Sequence, residues 1–206
     1  MRNKQLLLRG IVAAIAITAV AATFIVFRNA PEISAAQISD ISCIESADAD
    51  DCIRFPTITG DNLLGNPVTY PADFRGEYVL TVVPFDQDQQ VLADSWLPYV
   101  QDLAEQYPDF SYYNIPIFPD LETVYRLMAR AGMIVLIEDE GLREITTTVF
   151  LENRDVFLDA LEIPDVEALQ VILMTADGEV LWRESGAFSE DKGSILTRQL
   201  ENLLTG

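Results

Sequence analysis

Residues 10–27 (GIVAAIAITAVAATFIVF) form one uncharged apolar run. Beyond residue 54 the pattern changes, and short apolar runs alternate with stretches in which apolar residues recur every three or four positions. The run at 78–84 (YVLTVVP) is nearly continuous and rich in β-branched side chains, which predicts a central strand buried on both faces. Leu92, Trp96, Tyr99, Val100, Leu103 and Tyr107 then recur at helical spacing, predicting a helix over 89–106 that Pro98 kinks. Residues 110–118 (FSYYNIPIF) read as the next strand. A helix follows over 120–131, with Leu121, Val124, Tyr125 and Met128 facing inward and Gly132 placed to end it. Residues 133–143 fit neither period. Residues 145–150 (ITTTVF) have strand composition. Residues 152–161 read as a short helix with Val156, Phe157, Ala160 and Leu161 on one side. The apolar runs 169–175 and 179–184 flank Ala176-Asp177-Gly178, a hairpin signal because glycine takes the positive φ of the turn. Ser189 caps a last helix to residue 204, with Ile195, Leu196, Leu200 and Leu203 as its buried stripe.

Charge explains the first run. The 206 residues include 33 acids, 13 Lys plus Arg and no histidine, for a formal net charge of -20. Arg2, Lys4, Arg9 and Arg28 all lie within the first 28 residues, which contain no acid. As a helix, the 18 residues of the apolar run span about 27 Å, close to a hydrocarbon core of about 30 Å. Basic residues before it and acid-rich sequence after it leave the body outside the cytoplasm. Residues 1–28 therefore read as a signal anchor, a transmembrane helix of a single-pass cell-membrane protein. The alternative is a secretory signal cleaved after Ala19-Val20-Ala21 or Ser34-Ala35-Ala36. Residues 29–54 read as an acidic tether and 55–206 as the folded domain.

The same composition excludes much chemistry. Without histidine there is no Ser-His-Asp or Cys-His unit, no imidazole metal ligand and no imidazole proton shuttle. The acidic balance argues against a nucleic-acid partner. Cys43 and Cys52, the only cysteines, lie in the tether, and outside the cytoplasm they read as one disulfide. A redox pair is the alternative, but neighbouring carboxylates raise a thiol's pKa where a reactive thiol needs it lowered. Asp48, Asp50 and Asp51 lack the glycine and final glutamate of a calcium loop, so no metal and no cofactor is expected. Glu138-Asp139-Glu140 and the pair Asp86/Asp88 could in principle do acid–base work. In so acidic a chain such clusters arise by chance, and no catalytic residue is assigned.

The element order is strand, helix, strand, helix, extra strand and helix, hairpin, helix. This predicts an α/β, thioredoxin-like fold: a central mixed sheet flanked by helices, with 132–162 inserted. The residues support it. The stretch 97–107 (LPYVQDLAEQY) resembles the back of the first thioredoxin helix, proline included, and the hairpin with Asp177-Gly178, Gly186 and the final helix resembles the closing β-β-α unit. Within that superfamily, Phe85, Gln89-Gln90 and Trp96-Leu97-Pro98, with 178–183 (GEVLWR), resemble the ATP synthase assembly factors of mitochondria and their bacterial relatives. The departures are as informative. Counting back from Pro98, the Cys-x-x-Cys slot holds Gln90-Val91-Leu92-Ala93, and Leu169-Gln170 stand where active members carry a proline. The resemblance therefore implies a redox-inactive member.

What remains at that turn is polar: Asp86, Gln87, Asp88, Gln89 and Gln90, at the carboxyl end of a strand where open α/β sheets bind ligands. Asp86, Asp88, Gln89 and Gln90 are candidate ligand- or partner-binding residues, with helix capping as the competing role. Trp96, on the apolar stripe, reads as core, while Trp182 is a candidate binding aromatic. The expected function is a membrane-tethered, non-catalytic module that binds a protein partner; assembly of a membrane complex is what the resemblance adds. The alternatives are an extracytoplasmic thiol-disulfide oxidoreductase using Cys43 and Cys52, and a small-ligand binder using the polar turn.

Overall fold

A computed structural model describes residues 52–205. The predicted membrane helix, most of the tether, Cys43 and the aspartates 48, 50 and 51 lie outside them. Among the described residues no helix is long and apolar enough to cross a membrane.

Among the described residues, eight strands form two four-stranded sheets. The central sheet contains β3 (Tyr78–Val83), β4 (Phe110–Asn114), β7 (Gln170–Thr175) and β8 (Val180–Ser185), in the order β4-β3-β7-β8. β3 and β4 are parallel, while β7 runs antiparallel to both β3 and β8. The second sheet contains β1 (Ile58–Asn62), β2 (Pro67–Tyr70), β5 (Ile117–Pro119) and β6 (Thr147–Leu151), in the order β2-β1-β6-β5. A bridge between Asn114 and Thr146 links the two sheets.

Strand alternation gives the central sheet two covered faces. On one, Val79, Val83, Ile172 and Met174 join Phe55, Tyr70, Phe74, Tyr113, Phe157 and Leu161 in the main core. Leu80, Val82, Val171, Leu173 and Trp182 alternate onto the other face. There α1 (Gln90–Gln106) packs on β4 and α5 (Glu190–Thr205) on β8. α1 buries Ala93, Trp96, Val100 and Leu103, as its 3.6-residue stripe requires. Each such large side chain contributes about 1.5–3 kcal/mol by leaving water. Pro98 lies inside α1 on its exposed side, where the backbone donor it lacks leaves a carbonyl that water can reach.

Several sequence expectations change. The run 110–118 is two strands in different sheets, because the chain turns at Pro116: Ile115 N–H still reaches Val82 O, whereas the Pro116 carbonyl accepts from Val149 N–H of the second sheet. Gly132 does not end its helix; α2 spans Thr123–Leu136 and α3 Glu140–Ile145. The face of α2 is also reversed. Val124, Tyr125 and Met128, expected inward, are exposed. The arginines point to the protein instead: Arg130 donates to Asn62 O at 2.7 Å and pairs with Asp61, and Arg126 lies over the Phe150 ring. α4 is Arg154–Ala160 and buries Phe157 and Leu158, leaving Val156 out.

Candidate functional site

β3 runs out at Val83, and buried Pro84 and Phe85 carry the chain over the sheet's edge. The next three residues are exposed, then Gln89 turns inward, 5% exposed, and α1 begins. Hydrogen bonds fix this turn. Asp86 Oδ1 accepts from Gln89 N–H at 2.9 Å. Gln89 Oε1 accepts from Phe85 N–H at 2.9 Å, and its Nε2 donates to Val166 O at 2.7 Å. One amide thus ties the strand–helix turn to the loop that leads into β7.

The predicted residues therefore separate. Asp86 and Gln89 hold the turn together from within. Asp88 stands exposed on its outer side. Gln90 faces outward and donates from Nε2 to Asp94 Oδ1, one helical turn on, at 2.8 Å. Trp182 is 3% exposed, in β8 beside Leu173, and its indole Nε1 has no hydrogen-bond partner among the described residues. It is set in the sheet and not at the turn. Trp96 is fully buried, donates to Gly186 O at 2.9 Å and meets the edge of Phe188.

Gln90 opens onto a cleft of about 60 Å³ between α1 and the insertion. Its walls include Ala93, Asp94 and Leu97 of α1, Tyr112 and Asn114 of β4, and Leu142 and Ile145 of α3. Asn114 Oδ1 is buried with no partner among the described residues, so this small, mostly apolar cleft carries one unused acceptor. The sequence reading missed it; an asparagine ending an aromatic strand was the available signal.

On the other side of α3 lies a wider groove of about 670 Å³, with Tyr70, Tyr112, Tyr113, Arg75 and Glu144 on its walls. Tyr113 Oη accepts from Arg75 N–H at 3.0 Å, and Arg75 pairs with Glu144 at 3.0 Å. Burial raises the pKa of Tyr112 and Tyr113, and pushes Tyr70 up to about 12. These hydroxyls stay neutral near pH 7, so they offer hydrogen bonds and not nucleophiles. Asp139 accepts from Leu142 N–H at 2.8 Å and so serves as the N-cap of α3. No group of three or more His, Cys, Asp or Glu that could hold a metal occurs among the described residues.

The structure also places the sulfur. Cys52 is disulfide-bonded, and Cys43 lies outside the described residues. Next to Cys52, Ile53 O accepts from Val180 N–H at 3.0 Å, and Phe55 N–H donates to Gly178 O at 2.8 Å. That hairpin turn follows Thr175, which pairs with Tyr78 at the start of β3. α1 begins beyond the other end of β3. Its six residues put about 17 Å of sheet between residues 53–55 and the turn at Gln89.

The central strand order, the parallel β3-α1-β4 unit and the closing β7-β8-α5 unit decide the architecture. The fold is thioredoxin-like. Among solved structures, a protein named for electron transfer from Aquifex aeolicus VF5 matches with a TM-score of 0.50 at 13% identity, over 72% of this chain and 94% of that one. The thioredoxin domain of a thiol-disulfide oxidoreductase from Bacteroides vulgatus matches at 22% identity over 70% and 94%, with a TM-score of 0.45. A thiol-disulfide oxidoreductase from Bacteroides fragilis NCTC 9343 matches at 18% over 73% and 98%, also at 0.45. At such identities the likeness concerns the fold alone. No family model and no curated protein matches this chain.

Gln90 and Ala93 lie in the first turn of α1, eight and five residues before Pro98, and neither carries sulfur. Ala93 is buried, 6% exposed, and Gln90 is half-buried.

Proposed function

We propose that this chain is a membrane-tethered, non-catalytic thioredoxin-like protein that binds a protein partner at the amino end of α1 and the cleft beside it. The observation that carries this reading is that Gln90 and Ala93, at the start of α1, carry no sulfur, where the resemblance to thioredoxins implies the dithiol slot. The cleft under Gln90, with the free acceptor of Asn114, gives a partner side chain a place to enter and a donor to match. Tethering rests on the uncharged run 10–27 and its flanking charges. A role in assembling a membrane complex rests on the resemblance to ATP synthase assembly factors.

A second reading, an extracytoplasmic thiol-disulfide oxidoreductase using Cys43 and Cys52, is favoured by the disulfide bond that Cys52 makes. Against it stands the hydrogen bonding of residues 53–55 to the hairpin at the far end of the sheet. Site-specific photo-crosslinking tests the first reading. With a benzophenone amino acid at position 90 or 97 of the full chain in its native membrane, one discrete adduct is expected. The same probe at Asp177, at the opposite end, should not give it. Uniform smearing from all three positions would overturn the reading.

A further inference from the structure

α2 is built inside out. A surface helix normally turns its apolar stripe to the core and its charges to water. Here Val124, Leu127, Met128, Val135 and Leu136 are 64–76% exposed and Tyr125 is 59% exposed. No residue of α2 is buried. Its two charges are spent inward: Arg130 on Asn62 O and Asp61, Arg126 on Leu121 O and Asp120. The outer face is therefore both apolar and uncharged. Residues 123–137 also contain no acid, the longest acid-free stretch after residue 28. It is an uncharged patch bracketed by the exposed acids Glu122 and Glu138-Asp139-Glu140.

We propose that this face of α2 lies on a phospholipid bilayer, sunk into the boundary between headgroups and acyl chains as an interfacial helix is. The proposal rests on the reading of residues 10–27 as a retained anchor, and the chain length fits it. Residues 28–43 join that run to the disulfide with Cys52, and fully extended these 16 residues reach at most about 58 Å. From Cys52 to Asp61, which Arg130 grips, is at most about 32 Å of extended chain. These lengths let the exposed face of α2 reach the membrane that would hold the anchor. The exposed stripe supplies the contact, and no charge on it has to be desolvated.

The full chain in nanodiscs of phosphatidylcholine and phosphatidylglycerol, doped with a phospholipid carrying a diazirine in its acyl chain, tests this. After irradiation and digestion, lipid adducts are expected on two peptides, one covering 10–27 and one covering 123–136. Leu127→Asp with Met128→Asp, both at exposed positions, should abolish the second set and leave the first, with an unchanged far-UV spectrum. Adducts on 10–27 alone would overturn the proposal and leave the anchor standing. Adducts on neither would remove the anchor reading and the proposal with it. Disulfide-linked dimers of a Leu127→Cys variant under mild oxidation, with no α2 lipid adduct on the unsubstituted chain, would overturn it in favour of a dimer contact.

Discussion

Gln89→Ala separates a clamp from a binding residue. The substitution removes the acceptor of Phe85 N–H and the donor to Val166 O. Phe85 is 2% exposed, so its orphaned N–H costs about 1–3 kcal/mol. Val166 is half-buried, water can reach its carbonyl, and that loss is about 0.5–1.5 kcal/mol. Together these give about 1.5–4.5 kcal/mol. Gln90→Ala removes only a solvated contact with Asp94, worth about 0.5 kcal/mol or less. Urea unfolding of the full chain in mild detergent, followed by circular dichroism, should show a large fall in midpoint for the first variant and almost none for the second. Gln89→Glu adds a sign. It keeps the acceptor for Phe85 N–H but turns a carboxylate toward Val166 O. It should be weakest at neutral pH and recover as acid protonates the new group into a donor. Equal midpoints for Gln89→Ala and Gln90→Ala would refute the clamp.

Other outcomes follow from the same structure. Gln90→Cys with Ala93→Cys should create a titratable dithiol that the native chain lacks at α1, read by thiol counting with and without reductant. Gly60→Ala puts a Cβ 2.7 Å from Thr148 O, a backbone atom fixed by the β1–β6 pairing, and should cost about 2–3 kcal/mol or prevent folding, measured by thermal melting. Native Tyr70 holds its proton to about pH 12, against 10.0 for a free tyrosine. Its contribution is full below pH 10 and falls as pH rises toward 12, by about 2–3 kcal/mol in all. Tyr70→Phe should flatten that alkaline decline in a denaturation series from pH 8 to 12.

The sequence spelled out the elements that carry the fold, because β3, α1, the Asp177-Gly178 hairpin and α5 each have the period of their own structure. The β1–β2 hairpin was not legible: its strands are short and half-exposed, and they lack clean alternation. α2 shows the limit of periodicity. It reveals which residues share a face but not which face meets the protein, and Arg130's bond to Asn62 O, 68 residues away in sequence, decided that. At the site, the absence of sulfur from the start of α1 can be read directly from Gln90-Val91-Leu92-Ala93. The burial of Gln89 was not, because its partner Val166 comes from a loop 77 residues on.

The central claim is that no thiol chemistry runs in this protein, and an insulin disulfide-reduction assay tests it most directly. With dithiothreitol as electron source, the full chain should reduce insulin no faster than the uncatalysed background. Cys43→Ser with Cys52→Ser should leave that rate unchanged. Turnover above background that either serine substitution abolishes would contradict the account.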